Sequence, residues 1–355
     1  MTNSQTPREQ GFHMPAEWAP QDATWLAWPS PDAGDFLGIY EDSVAAAYIA
    51  MLDALLEGQK VYLNNGSLAK ASGRLEAIAP EKLQRLHLLD IPSSEWCRDF
   101  GPTFLLNNQQ ELGAIDWKFS KWGGKYEGEL MNDADATLRM CAQANVPDER
   151  IFTSPGLTLE GGGIEVNGAG TAMTTGTSVL HANRNPDAGK EDIEQLLSDF
   201  LGADHVIWLD GTFENDDTDG HIDTLARFVS EDTIAVQTCE DSDDPNFAVA
   251  QENVRRLSTA KLADGRAVNV VRLPSMDRME LAGIRMPASY ANFLIANTCV
   301  LIPQYGLRQD PDAVAAIGSL FPDRKPIPID CSGIIWGRGA LHCISQQVPR
   351  SSGLS

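Results

Sequence analysis

Short apolar runs alternate with amphipathic stretches along the whole of this 355-residue chain, and that alternation constrains the fold most. Segments 23–28, 60–63 and 85–91 read as strands, and 43–56, rich in Ala, Leu and Met, reads as a helix. Further helices are expected over 134–144, 190–201, 247–257 and 310–320. Gly202 marks the end of the 190–201 stretch and Pro322 lies just past the end of 310–320. Strands are expected over 157–166, 206–209, 224–229, 233–238, 268–273, 293–302 and 334–343. Strands and helices mixed throughout specify an α/β chain. The helices recur every ~60–70 residues, a spacing that suggests modular repetition, although the segments do not align by residue identity. No linker composition divides the chain, so a single domain over 1–355 is expected, with the polar 1–10 stretch as a flexible tail.

The net charge of −23 disfavours nucleic acid, whose phosphates need a basic face, and suits a small cationic ligand. No apolar run approaches the ~20 residues of a spanning helix, and the N-terminus lacks an apolar signal core. Six cysteines without a CxxC pair fit reduced thiols in a cytoplasmic protein. Homo-oligomerisation stays open.

Four segments could carry chemistry. In Asn215-Asp216-Asp217-Thr218-Asp219-Gly220-His221-Ile222-Asp223, the start matches a Ca²⁺ loop, but Ala226 stands where that loop needs a bidentate Glu. On a strand, spacing of two puts His221 and Asp223 on one face. Asp99, in Trp96-Cys97-Arg98-Asp99-Phe100-Gly101-Pro102, is expected where a strand meets a loop, or else in a surface pair with Arg98. Trp96 beside it is a candidate cage residue. In Glu160-Gly161-Gly162-Gly163, the phosphate-loop lysine is missing, so the glycines are read as permitting close approach of backbone or ligand. Glu160 then points into a cleft. Finally, Cys343 lies in 334–343; on a strand its neighbour His342 would face the other way, leaving His221 as the partner for a thiol nucleophile.

Taken in order, these segments resemble one family. Met14-Pro15-Ala16-Glu17-Trp18, Arg98-Asp99-Phe100-Gly101-Pro102, Leu159-Glu160-Gly161-Gly162, the 215–223 run, Ala288-Ser289-Tyr290-Ala291-Asn292-Phe293 and His342-Cys343-Ile344-Ser345-Gln346-Gln347 together resemble the agmatine deiminases. That group includes the bacterial-type peptidylarginine deiminases and belongs to the guanidine-modifying pentein superfamily. The resemblance implies a five-bladed α/β propeller of pseudo-fivefold symmetry with a central site. It implies Cys343 as nucleophile, His221 as acid and base, Asp99 and Asp223 gripping a guanidinium, and Glu160 holding His221. Trp96 and Asp217 would meet the substrate's far end. No metal or organic cofactor is implied. The implied reaction is hydrolysis of agmatine to N-carbamoylputrescine and ammonia. Arg338 departs from the family's glycine-rich approach to the cysteine, which keeps free or peptidyl arginine as an alternative substrate. A non-catalytic Ca²⁺-binding acidic module is the third reading.

Overall fold

The computed structural model describes residues 5–29, 37–126 and 133–353. Strand β1 (Gln21–Ala27) runs into a helix (Leu37–Leu55) and returns as β2 (Lys60–Asn64), parallel to β1, with β3 (Leu86–Leu88) beyond it. Next, β4 (Thr103–Leu106) and β5 (Leu112–Lys118) form a hairpin; a helix (Asp133–Gln143) follows, and β6 (Ile151–Thr158) pairs parallel to β5. The same unit recurs twice. Strands β7 (Glu165–Val166) and β8 (Thr171–Thr175) lead over Lys190–Leu201 to β9 (His205–Leu209), and β10 (Ala226–Phe228) and β11 (Thr233–Val236) lead over Phe247–Thr259 to β12 (Asn269–Arg272).

A separate hairpin, β13 (Glu280–Leu281) and β14 (Ile284–Arg285), precedes the next unit. There, β15 (Leu294–Ile295) and β16 (Cys299–Gln304) lead over Asp310–Leu320 to β17 (Lys325–Asp330). The C-terminal β18 (Ser345–Pro349) then pairs antiparallel with β1 and gives the first sheet its missing partner. Five sheets thus share one plan, an antiparallel pair followed by a parallel strand reached over a helix, which is the pentein propeller arrangement. A parallel pair needs such a crossover, and an amphipathic helix is the shortest element that also covers the sheet.

The helices form where periodicity and caps agree. Lys190–Leu201 buries Ile193, Leu196, Leu197, Phe200 and Leu201 on one face. It stops at Gly202, which takes the left-handed conformation (φ 71°) that glycine adopts without strain. Expected and observed bounds coincide for this helix and for Asp310–Leu320. Trp25 is fully buried core. Of the expected tail, Arg8–Gln10 instead form a turn of 3-10 helix, and Arg8 pairs with Asp204 and Ser198. Residues 1–4 lie outside the described residues.

Three expected strands are interrupted. The 157–166 stretch ends as strand at Thr158 and turns through Gly161–Gly163. The 293–302 stretch is two strands around a turn at Asn297, whose amide bonds the Gln21 main chain on both sides. The 334–343 stretch is a 3-10 turn (Ile334–Gly337) followed by further turns, with the strand starting only at Ser345. Likewise, Ile222–Thr224 is a 3-10 turn, so His221 and Asp223 do not share a strand face.

A buried ion cluster lies near the middle of the molecule. Arg227, fully buried on β10, bonds Glu17 and donates from Nε to Glu165 Oε2 at 3.0 Å. Its Nη1 also donates to the Phe293 carbonyl at 2.7 Å. Replacing it with a neutral side chain strands two buried carboxylates. Arg227→Met is therefore expected to lose about 3–5 kcal/mol, read as a shift of the urea unfolding midpoint. A change below about 1 kcal/mol would mean that the glutamates do not depend on it.

Candidate active site

Each of the five sheet units is entered by a loop that places a polar residue a few positions before its first strand. Asp99 precedes β4, Glu160 precedes β7, His221 and Asp223 precede β10, Asn292 precedes β15 and Cys343 precedes β18. Hydrogen bonds from side chains and main chain tie these loops into a ring. Gly162 N donates to Asp99 Oδ1 at 2.9 Å. Asn292 Nδ2 lies 3.4 Å from the Asp223 carbonyl, and Asn292 Oδ1 accepts from His342 N at 3.0 Å and Cys343 N at 3.3 Å. Arg98 N donates to the Cys343 carbonyl at 3.2 Å, which brings the chain back to Asp99.

At the centre of that ring, Cys343 Sγ lies 3.1 Å from Asn292 Nδ2 and 3.4 Å from Asp223 Oδ2. His221 bonds Glu160 Oε2 through Nε2 at 2.8 Å, while its Nδ1 stands 3.4 Å from Asp99 Oδ1. Glu160 is fixed in turn by Arg184, whose Nε donates at 3.0 Å, and by Ser120 Oγ at 3.0 Å. Asp99 accepts a second bond on Oδ2, from Trp122 Nε1 at 2.8 Å. Cys343, His221, Glu160, Asp99 and Asp223 are all buried. The structure therefore brings together the five residues that the sequence singled out for chemistry.

Two buried polar atoms there make no hydrogen bond: Nδ1 of His221 and Oδ1 of Asp223. Both side chains approach Gly162. A Cβ on that glycine would lie 2.6 Å from His221 Nδ1, 2.7 Å from Asp99 Oδ1 and 3.1 Å from Asp223 Oδ2. Only a residue without a side chain lets the backbone pass so close to three polar groups.

The electrostatics follow from burial opposed by neighbours. Burial alone would lower the His221 pKa, but Asp99, Glu160 and Asp223 outweigh it and raise it to about 9. Burial pushes Asp99 up to about 6 against the pull of His221. Burial also pushes the Cys343 thiol well above its ordinary value, and the carboxylates of Asp223 and Asp99 add to that. Asp223 is held below the usual range, because His342, His221 and Arg227 outweigh its burial.

Trp96 lies beside the cysteine. A Cβ at Gly339 would collide with its indole and stand 3.0 Å from Cys343 Cβ. Asp217 belongs to an outer cluster. It accepts from the Tyr126 hydroxyl, its carbonyl accepts from Lys125, and the Arg338 charge acts on it. Tyr126 packs edge-on against Trp122 with ring centroids 5.2 Å apart, which links this cluster to Asp99. In the rest of the acidic run, Asp219 pairs with Arg184 and Lys125, and Asp216 Oδ1 accepts from Thr218 N and Oγ while its Oδ2 is buried without a hydrogen bond. Protein cations already hold Asp219, and Ala226 offers no twelfth-position carboxylate, so nothing here favours the Ca²⁺ reading. Arg98 is buried and donates to Gln346 and Gln347, so it is not a surface partner of Asp99.

Sequence reasoning did not single out Asn292, Trp122 or Arg184 as site residues. Asn292 and Trp122 carry no titratable group, and Arg184 stands in no motif. The signal available for Asn292 was positional: it precedes β15 as Asp223 precedes β10.

The chain is similar to known proteins along most of its length. The family model for Porphyromonas-type peptidyl-arginine deiminase matches residues 13–349. The agmatine deiminase of Stutzerimonas stutzeri is 34% identical over 374 residues, covering 98% of each chain. The structure of agmatine deiminase of Enterococcus faecalis, described as catalysing its reaction, superposes with a TM-score of 0.87 at 29% identity, covering 98% of both chains. The DDAH of Pseudomonas aeruginosa, at 15% identity and a TM-score of 0.51 over 92% of this chain and 99% of its own, shares the fold alone.

Proposed function

The chain belongs to the Porphyromonas-type peptidyl-arginine deiminase family, and we propose that it hydrolyses agmatine to N-carbamoylputrescine and ammonia through a covalent intermediate on Cys343. The observation that carries the reading is the gathering of the buried Asp223, Asp99 and His221 side chains around Gly162 and the Cys343 thiol, with Asp223 Oδ1 and His221 Nδ1 left without hydrogen-bond partners. A guanidinium is planar, always charged, and presents N–H donors that match two carboxylates. Asp99 and Asp223 fix its plane and offset its charge.

The central carbon is a weak electrophile, so attack needs a thiolate. In the free site two carboxylates oppose loss of the thiol proton. The arriving cation reverses that balance and favours the thiolate, the thiol proton leaving to solvent as substrate binds, so substrate helps generate its own nucleophile. Sulfur adds to the guanidinium carbon. The tetrahedral adduct collapses as His221, protonated at rest, gives a proton to the departing ammonia. An amidino-thioether remains on Cys343. His221, now neutral, takes a proton from water; the hydroxide adds to the same carbon, and the C–S bond breaks to release the urea product. Glu160, anchored by Arg184, keeps the ring turned so that Nδ1 faces the reacting carbon.

This assignment sets a pH window. Asp99 must be ionised and His221 protonated. The kcat/KM profile should rise through about pH 6 and fall through about pH 9. A profile still rising beyond pH 10 would exclude His221 as the resting acid. Arg338 beside Asp217 makes a carboxylate-bearing tail the competitor to examine. Ammonia release from agmatine, free arginine and a blocked arginine peptide separates the substrates, and preference for either arginine substrate would overturn the choice of agmatine. One cytoplasmic catalytic domain without a cofactor is the setting this reading implies.

A further inference from the structure

His342 was set aside above as a partner for Cys343, yet its surroundings are unusual. Its Nδ1 lies 2.7 Å from Asp223 Oδ2, and its Nε2 lies 2.9 Å from Glu17 Oε2. All three side chains are buried, with His342 1% exposed. Ionised carboxylates only accept hydrogen bonds, so each ring nitrogen facing one must carry a proton. A neutral imidazole has one N–H and can satisfy one of them. Two contacts of this length therefore require the imidazolium, or else a proton on a carboxyl group.

The surroundings favour the imidazolium. Glu17 Oε2 also accepts from Arg227 Nη2, and its Oε1 accepts from Ile295 N at 2.8 Å, so every bond to it stabilises the ionised form. Arg98 and Arg324 add positive charge near Glu17. Asp223 faces His221 and Arg227 as well as His342. Opposing them are Glu165, which Arg227 engages, together with Asp99 and the Cys343 thiol. Glu17, Glu165 and His342 are also close enough to suggest an ion site, with ligand atoms within 4.8 Å of one another. Arg227, bonded to both glutamates, already supplies the cation there.

We propose that Glu17 and His342 are positioning residues for the deimination reaction: Glu17 holds His342 as a doubly protonated imidazolium, and that cation keeps Asp223 ionised and its free Oδ1 turned toward the guanidinium. The inference rests on the proposed role of Asp223 as a guanidinium ligand. It explains how a carboxylate can remain charged 3.4 Å from a sulfur that must itself become an anion. It also gives the unpartnered Oδ1 its direction, because Oδ2 is taken by His342. Neither Glu17 nor His342 touches the substrate.

The test begins with the wild-type chain. Nitrogen-15 NMR of histidine-labelled enzyme, with the signal assigned by its loss in His342→Asn, should show both His342 nitrogens protonated at pH 8. A neutral His342 at that pH overturns the proposal. Glu17→Gln should let His342 lose its second proton within the working range. His342→Asn should lower kcat/KM for agmatine relative to wild type by about tenfold at the acid end of the profile, mainly through KM, because losing a cation this close raises a carboxylate by about one unit or more. That loss should shrink toward pH 8.5, where Asp223 ionises unaided. A loss equal at all pH values marks a merely structural role and sinks the idea.

Methylguanidinium binding to Cys343→Ala, with and without His342→Asn, tests the same point free of turnover. The His342→Asn form should bind it more weakly, with the deficit again largest at low pH. Equal affinities would reject the proposal. If wild-type enzyme releases no ammonia from agmatine, the functional reading falls, while the NMR and methylguanidinium results still decide this one.

Discussion

Cys343→Ala is expected to release no measurable ammonia from agmatine while still binding it. The proposed route passes through a bond to sulfur, and nothing else buried in the ring is a comparable nucleophile: its other members are carboxylates, an amide and a histidine held by Glu160. Removing a nucleophile from an assembled site elsewhere costs on the order of 10⁶-fold in turnover. A comparable loss is expected here. The fold should survive, because the loop is held by its backbone. Cys343 N donates to Asn292 Oδ1 and its carbonyl accepts from Arg98 N, and alanine keeps both. Binding should survive because Asp99, Asp223 and His221 remain. The experiment pairs an ammonia assay with calorimetry of agmatine binding, and adds intact mass of acid-quenched wild-type enzyme. Wild-type mass should increase by one amidino adduct, which the variant lacks. Turnover in the variant within tenfold of wild type would remove Cys343 from the mechanism.

The fold was legible where signals are local and hidden where they are not. Helix Lys190–Leu201 could be read to the residue because its apolar face and its Gly202 stop both lie in the segment itself. The three interrupted strands read as single strands because apolar residues stand on both sides of each polar or glycine-rich break. Their breaks are imposed from elsewhere: the Asp99 carboxylate takes the Gly162 amide, Asn292 takes two amides beside Cys343, and Asn297 turns to bond Gln21. A turn created by a partner between 50 and 276 residues away in sequence leaves no local period to detect. The fivefold plan was visible only as a loose helical spacing. Its units share strand pairing, not residue identity.

The site was legible in its titratable members. Asp99, Glu160, His221, Asp223 and Cys343 stand in compact motifs, and all five meet. The reasoning about His342 needs a different footing. It was excluded as a base by the opposite faces of a strand, yet residues 341–344 are a turn. What keeps it from the thiol is that both of its nitrogens are engaged by Asp223 and Glu17. The same holds for His221 and Asp223, which converge through a 3-10 turn and not through strand spacing. Asp217 lies outward of the ring with Tyr126, Lys125 and Arg338, so its place was the least legible of all. Its side-chain partners come from other segments.

Gly162→Ala should cripple the enzyme for a purely steric reason, though less completely than loss of the thiol. The added methyl would stand 2.6 Å from His221 Nδ1 and 2.7 Å from Asp99 Oδ1, inside any real Cβ contact, and 3.1 Å from Asp223 Oδ2. Those atoms belong to the three side chains proposed to hold the guanidinium and move its protons. Gly162 is not among the glycines at positive φ, so alanine meets no backbone strain there, and the Gly162 N–H bond to Asp99 can persist. The side chains must therefore give way. Overpacking of this kind typically costs about 1–3 kcal/mol of stability, which a chain of this size can tolerate. Catalysis is less forgiving: misplacing reacting groups by about 1 Å can cost 10²-fold, and here two groups move together. A drop in kcat/KM of about 10³-fold, about 4 kcal/mol, is expected. Gly176→Ala serves as control, since its nearest neighbour would be Leu180 Cδ1 at an ordinary 3.8 Å. Retention of wild-type kcat/KM in Gly162→Ala would mean that the guanidinium does not sit among His221, Asp99 and Asp223, and the proposed catalytic geometry would have to be abandoned.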